Sequence, residues 1–473
     1  MCLKKNLFVK QVFVSAGFLV AIMMTGCGNE TNSNSKSAMP LAKAGNADTP
    51  AATLSPVIPA DVDLPQTQIP SIVFFDDYSW KIFIALTWPA KQDARGVADT
   101  TKKITDKGPR VFETYKSVSE VFQPDASEPS DWNVYDDRNP AHIKPKFGEI
   151  ILGSYNHLDF LAQAGFNKLT GPVATQNNKY TMVLTAYDEH EFSEIKGKKW
   201  YLKQNLHAGL AFATGTIDVK SAWMDMEGLS DEKKARFYTD SAWVMNQDPK
   251  GDFKYQKRLV GLVGLHIVHK TPTRPQWLWT SFEQVDNLPG EEGAVAPFNY
   301  YKDGADAPPP NNPNTLSPLT WPEKFYNVKR AKPINNFTKG TNLRYQQALK
   351  KEGSVWQYYK LVVTQWPTPA NSNLNGGVKN TIPGAAGDDR PASDSTSFAN
   401  ITMETYQQSK ISQGCMNCHN LVRDTADFLW TMYNHAGPRP EVPAVPPALK
   451  KGMKAVQTHE SMPTRQLDSL LIN

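Results

Sequence analysis

The most specific chemistry in the chain lies in five residues near its C-terminal end: Cys415-Met416-Asn417-Cys418-His419. Two thiols at C-x-x-C spacing share one tight turn, and each can bond one vinyl group of the same porphyrin. The imidazole of the next residue, His419, is then held beside the iron and can supply a nitrogen ligand. A bare C-x-x-C also suits a redox dithiol or half of a zinc site. A thioredoxin-like dithiol belongs in a βαβ setting near the chain start, whereas this pair follows a helix-like stretch, Thr405–Ser412. A structural zinc site needs two further ligands at similar spacing. No second C-x-x-C exists, and His435 stands at the wrong offset. The expected cofactor is one covalent haem c, attached through Cys415 and Cys418, with His419 as the proximal iron ligand.

The five residues resemble the haem site of the cytochromes c, over this short region alone. The Met462-Pro463 pair is similar to the ligand loop of small cytochromes c. That similarity makes Met462 a candidate sixth ligand, beside Met432, Met453, His435 and His459. Two filled axial positions suit an electron carrier, and an open one suits an enzyme or gas sensor. A broader similarity covers Gly264–Pro275 with Trp277–Asn287, and Met403–Tyr406 ahead of the motif. These stretches resemble uncharacterised bacterial proteins grouped as cytochrome c family proteins, a resemblance that implies no substrate.

The other two cysteines lie at the N-terminus. Met1–Lys10 carries lysines, Val12–Met24 is apolar, and small polar residues follow. This is the pattern of a secretion signal, too short for a membrane span. Met24-Thr25-Gly26-Cys27 resembles the lipobox of bacterial lipoproteins. The resemblance implies cleavage before Cys27 and lipidation of its thiol. Conventional cleavage with a free Cys27 is the other reading. Gly28 at the next position favours the outer membrane in a Gram-negative cell. Cys2 would leave with the signal, so no cysteine remains for a disulfide, even in an oxidising compartment that permits one. Cytochrome c maturation in bacteria takes place outside the cytoplasmic membrane, so the two motifs imply one location, the periplasm. Residues 27 to 68 are rich in Asn, Ser, Ala, Thr and Pro and are expected to form a lipid-anchored tether. A coil of about forty residues spans roughly 35 Å.

What must position the motif is a long body. The chain has 473 residues and a formal net charge of +4, with basic and acidic residues interspersed. Length allows two or three domains, and the charge pattern gives nucleic-acid binding no support. Tyr78–Leu86 reads as a short buried helix or a strand, and Arg110–Phe122 has helical spacing. Tyr180–Ala186, Gly215–Met224, Phe237–Met245, Leu259–His269, Trp277–Val285 and Val355–Gln365 read as strands separated by turn residues. Asp231–Arg236 is a small helix candidate. Ala305–Asn314 and Asn371–Asp394 are loops or linkers, and Pro438–Pro447 is extended. The expected fold is α+β and β-rich, a large, mostly antiparallel β body over 69–370. A linker at 371–394 leads to a C-terminal helical, cytochrome c-type haem segment over 395–473.

Two places in the body could add chemistry. His266 and His269 share one expected strand, where an offset of three puts them on opposite faces. One is then a buried, hydrogen-bonded histidine and the other faces solvent, or one of them faces the haem. Glu283, flanked by Trp277 and Trp279, is either an acid or base with a raised pKa or the partner of Lys270 or Arg274, the pairing being favoured. No P-loop, G-x-G-x-x-G after a strand, H-E-x-x-H or G-x-S-x-G occurs. The leading expectation is an exported, membrane-tethered cytochrome that passes single electrons to a redox partner protein. A haem oxidoreductase acting on a small molecule or peroxide, with His266 or His269 and Glu283 lining its pocket, is the alternative. A binding module with a structural haem is the third reading.

Overall fold

The computed structural model describes residues 49–155, 172–247, 253–304, 327–366, 398–408 and 419–437, with 159–161, 163, 307 and 310–311 between them. All of these belong to one compact unit, residues 41–473. Its centre is an eight-stranded mixed sheet. The strands are β1 (Lys116–Ser117), β2 (Ile151–Leu152), β3 (Met182–Tyr187), β4 (Ile217–Asp225), β5 (Thr239–Gln247), β6 (Phe253–Thr271), β7 (Arg274–Gln284) and β8 (Tyr359–Gln365).

The 19-residue β6 is the spine. β4 runs along one edge of it, pairing Val260–His269. On the other edge β5 takes Phe253–Gly261 and β7 takes Gly264–Thr271, so the sheet forks there. β8 extends the β7 branch and β2 the β5 branch. Every pairing is antiparallel except β2 with β5. The β-rich, mostly antiparallel expectation holds for the body.

Strand alternation gives the sheet two different faces. On the inner face, Phe282 of β7 stacks on Phe83 of the helix α1 (Ile72–Leu86) at 4.2 Å. Ser79 of α1 bonds the hydroxyls of Thr280 and Thr364. Every residue of α1 except Lys81 is buried, which resolves the helix-or-strand ambiguity of Tyr78–Leu86. A helix buried all round has no apolar stripe to reveal its period. A second helix, Asn336–Lys351, holds α1 from behind. Its Asn342 accepts from the Trp80 indole at 2.9 Å and its Tyr345 stacks on Trp80 at 5.0 Å.

Several elements differ from expectation. Arg110–Phe122 is not one helix. It breaks into a 3-10 turn at Val111–Thr114, strand β1, and the short helix Val118–Val121. Two capping boxes cut it: Glu113 reaches back to the Arg110 amide and Glu120 to the Ser117 amide. In the expected Val355–Gln365 strand, Val355–Tyr358 is a 3-10 turn and only Tyr359–Gln365 is extended. The small helix runs over Asp231–Lys234, capped by Ser230.

The last part of the expected tether also differs. Residues 49–62 lie against the body, with Val62 buried, Leu54 and Ile58 packed on the core, and Asp61 accepting from the Thr273 amide and hydroxyl, while 63–68 are exposed. The apolar residues spaced through the packed stretch supply the burial that holds it there. The signal segment and the linker at 371–394 lie outside the described residues. Of the expected helical C-terminal segment, the described part contains the helices Arg423–Ala426 and Trp430–His435.

Candidate functional site

The outer face of the sheet carries the candidate site. On it His266 stands opposite Lys220 of β4 and Ser281 of β7, and Trp279 lies two residues along β7 from Ser281. The segment 398–408 crosses this face. It can approach because β6 has a glycine there: a Cβ on Gly264 would come within 2.2 Å of the Thr402 hydroxyl. Asn400 fixes the crossing, donating to the Ser281 hydroxyl at 3.0 Å and the Phe282 carbonyl at 3.1 Å. Its own amide donates to Glu404 Oε2 at 2.8 Å.

The crossing sets Glu404 beside His266, with Glu404 Oε2 and His266 Nε2 3.4 Å apart. The two form an ion pair whenever His266 carries its second proton, without a hydrogen bond of ordinary geometry. Burial would raise the Glu404 pKa, but His266, Lys220 and the Asn400 amide outweigh it and hold the carboxyl below its usual range.

His419 meets this face from the C-terminal segment. Its ring sits 4.5 Å from the Trp279 ring, tilted by 56°. Its Nδ1 is 2.6 Å from the Phe428 carbonyl oxygen. A carbonyl can only accept, so Nδ1 carries the proton and Nε2 keeps its lone pair. Burial pushes the imidazole pKa down to about 4, with Lys220 and His266 acting the same way and the Phe428 carbonyl and Glu404 opposing. The ring is therefore neutral at pH 7, the form that binds a metal.

The carbonyl that orients His419 is itself held by backbone strain. Asp427 and Phe428 are consecutive residues with φ of 45° and 72°. Asp tolerates the left-handed region, but Phe there costs on the order of 1–3 kcal/mol. Tertiary contacts impose the turn. Lys270 forms a buried ion pair with Asp427. The Phe212 amide donates to Asp427 Oδ2 at 2.8 Å and the Trp277 indole to the Asp427 carbonyl at 3.1 Å. Lys270 and Trp277 flank the β6–β7 turn, so the sheet that carries His266 and Trp279 also sets the loop that aims His419.

The other sequence-derived candidates fall elsewhere. His269 lies on the inner face, buried and hydrogen-bonded to the Tyr78 hydroxyl of α1. Glu283 does pair, but neither Lys270 nor Arg274 is its partner. Its Oε2 accepts from Arg330 at 2.5 Å and its Oε1 from the Ile401 amide at 2.9 Å. Lys270 is drawn to Asp427 instead, and the Arg274 guanidinium lies over the Phe75 ring at 5.0 Å. Met432 is buried in the main core, and His435 bonds the Thr431 carbonyl one helical turn back. Cys27, Cys415, Cys418, Met453, His459 and Met462 lie outside the described residues.

Sequence reasoning passed over Glu404 and Lys220 as site residues and noted Trp279 only as a flank of Glu283. Only the alternation of β7 hinted that Trp279 shares a face with Ser281. Among the described residues no group of three or more His, Cys, Asp or Glu side chains converges to hold a metal ion. The described groups are instead two separate contacts, His266 beside Glu404 and His419 against the Trp279 ring. No family model matches the chain, and no curated protein or solved structure matches it either.

Proposed function

We propose that this chain is a mono-haem c-type cytochrome that exchanges single electrons with a redox partner protein. In this reading Cys415 and Cys418 attach the haem and His419 is the proximal ligand. The protein is exported to the bacterial periplasm and tethered to a membrane through lipid on Cys27. The observation that carries the reading is the state of His419. The residue directly after Cys418 is a neutral imidazole whose Nδ1 is taken by the Phe428 carbonyl, leaving Nε2 available. Metal-binding histidines are oriented in this way, the second ring nitrogen donating to a carbonyl or carboxylate. The donor set fits haem c, which needs two thiols and one or two axial side chains rather than a metal-binding cluster.

Bound haem would supply a one-electron iron couple. The chain's own residues do the rest. Phe428 fixes the His419 tautomer. Trp279 presents an aromatic surface beside the imidazole. The 398–408 segment, pinned through Asn400, shields this part of the sheet from water. The alternative, a substrate pocket lined by His266 or His269 and Glu283, has less support, because His269 lies on the inner face and Glu283 is paired with Arg330.

The test is covalent attachment. The full chain, produced with a cytochrome c maturation system, is run on a denaturing gel stained for haem peroxidase activity, and its haem is counted by pyridine haemochrome. One haem per chain is expected, with the stain lost when Cys415 and Cys418 are both replaced by Ser. A matured chain without covalent haem would overturn the reading.

A further inference from the structure

We propose that Lys270 and Asp427 condense into an internal amide, an isopeptide bond that fastens the C-terminal segment to the end of strand β6. The inference concerns the chain's own covalent chemistry and does not depend on the cytochrome reading. The first support is the isolation of the pair. Lys270 Nζ contacts Asp427 Oδ2, and the two side chains are only 1% and 4% exposed. The Trp277 ring lies beside the amine, its centroid 5.2 Å from Nζ. Such a site penalises charge on both groups, because desolvation can outweigh their attraction. One proton transfer gives a neutral amine beside a neutral carboxyl, the forms that condense. Burial holds the Asp427 carboxyl above its usual range, against Lys270 and the Phe212 amide. Two other buried lysine–carboxylate pairs differ here. Arg236 also binds Asp286 of the Lys233 pair, and Arg330 also binds Glu291 of the Lys360 pair, so those carboxylates stay ionised.

The second support is fixed placement. The Phe212 amide donates to Asp427 Oδ2 at 2.8 Å, and the Trp277 indole to the Asp427 carbonyl at 3.1 Å. Lys270 is held by its own backbone, which accepts from Gly215 at 2.7 Å and donates to the Thr216 carbonyl at 3.0 Å. Reactants held in contact reach effective molarities of about 10⁵–10⁸ M. The third is an idle acid. Glu191, on the helix Glu189–Gly197, is fully buried, and neither carboxyl oxygen has a hydrogen-bond partner. Glu194 shares its helix face and accepts from the Ala213 amide at 2.8 Å. The amide before that one, of Phe212, is the donor to Asp427. Glu191 therefore sits on the helix face that meets the segment bound to Asp427. Burial, with Asp218, Asp188 and Asp427 adding to it, pushes the Glu191 carboxyl well up and favours its acid form. In the reaction Nζ attacks Asp427 Cγ, the C–O bond breaks and water leaves. Glu191 gives a proton to the departing oxygen and takes one from the nitrogen, so amine and acid become one amide and one water, with no oxidant or reductant.

The experiment is tandem mass spectrometry of a protease digest of the denatured full chain. Cleavage after Arg423 separates Asp427 from the haem motif, so haem attachment and the cross-link are read in different peptides. The expected wild type gives the Lys270 and Asp427 peptides joined, one water lighter than their sum. The peptides of Lys233 and Asp286, and of Lys360 and Glu291, should be unjoined. Lys270→Arg, which keeps the charge, should give separate peptides. Asp427→Asn, which would release ammonia instead of water, should give the wild-type joined peptide. Glu191→Gln should slow joining about a hundredfold, the usual contribution of a positioned acid–base group. Wild-type Lys270 and Asp427 found only in separate, unmodified peptides would overturn the proposal. Joining at the wild-type rate in Glu191→Gln would overturn the role of Glu191. Should a variant fail to fold, the wild-type digest still decides whether the bond exists.

Discussion

His266 and His269 stand three residues apart on one strand and live in different chemical worlds. His269 faces α1, is buried at 3% exposure, and is hydrogen-bonded to Tyr78. His266 faces the 398–408 segment, with Glu404 Oε2 3.4 Å from its Nε2. The period of two along a strand separates them, and what each face is packed against decides the rest. On the inner face Ser79 is matched with Thr280 and Thr364, and Asp76 with Thr338 and Thr364, although the Trp356 indole packed on Phe83 has no hydrogen-bond partner. The outer face is held by polar crossings, the Asn400 bonds, the Arg330–Glu283 pair and the His266–Glu404 contact.

The largest expected effect that would break this contrast is on the inner face. His269→Ala removes a buried ring and strands the Tyr78 hydroxyl. Chemical denaturation should show a loss of about 2–4 kcal/mol, while the spectrum of attached haem stays as in the wild type. A spectral change without destabilisation would put His269, and the inner face with it, in the site.

Gly264→Ala acts on the other side. Its Cβ would meet the Thr402 hydroxyl at 2.2 Å and the Met403 side chain at 3.3 Å, so the 398–408 segment must shift. The cost should be about 1–3 kcal/mol, and the shift should move Glu404 relative to His266. Absorption and redox potential should change along with stability. A variant with wild-type stability and spectrum would mean that the crossing does not control the site.

The smallest effect is a difference in pH dependence. Burial, reinforced by His190 and opposed by Asp61, holds the His269 pKa down to about 4, below the ordinary value of 6.5. Between these values the unfolded chain binds a proton that the folded chain refuses. The contribution is therefore complete above pH 6.5 and is lost as pH falls toward 4. The slope for one proton is about 1.4 kcal/mol per pH unit. Subtracting the stability curve of His269→Asn from that of the wild type should reveal that slope in this window. A flat difference curve would show that His269 is not buried as a neutral ring.

Local signals reached some of this and missed the rest for identifiable reasons. Alternation in β4, β6 and β7 is strong enough to read, and with it the opposed placement of the two histidines. The helix Asn336–Lys351 went unnoticed although its ends are marked by the Asn335 cap, by Lys350 and Lys351, and by Gly353 at a φ of 69°. Its apolar positions are sparse, because it buries Thr338, Thr341 and Asn342 against polar atoms of α1 and β8. Glu283 was expected to pair with a cation near in sequence. Arg330, 47 residues away, won because it also reaches Glu291 and so bridges two buried carboxylates.

By itself the sequence determined the C-x-x-C-H spacing, the strand periods and the identity of every candidate ligand, because these depend on neighbours a few residues apart. Only the tertiary structure decided which candidates share a space. Glu404 reaches His266 because Gly264 lets a distant segment cross β6. The Phe428 carbonyl reaches His419 because Lys270 and Trp277 hold Asp427 and Phe428 in a turn that their own backbones disfavour. Such contacts join residues far apart in sequence, and their energy comes from burial and pairing of side chains that no local pattern links.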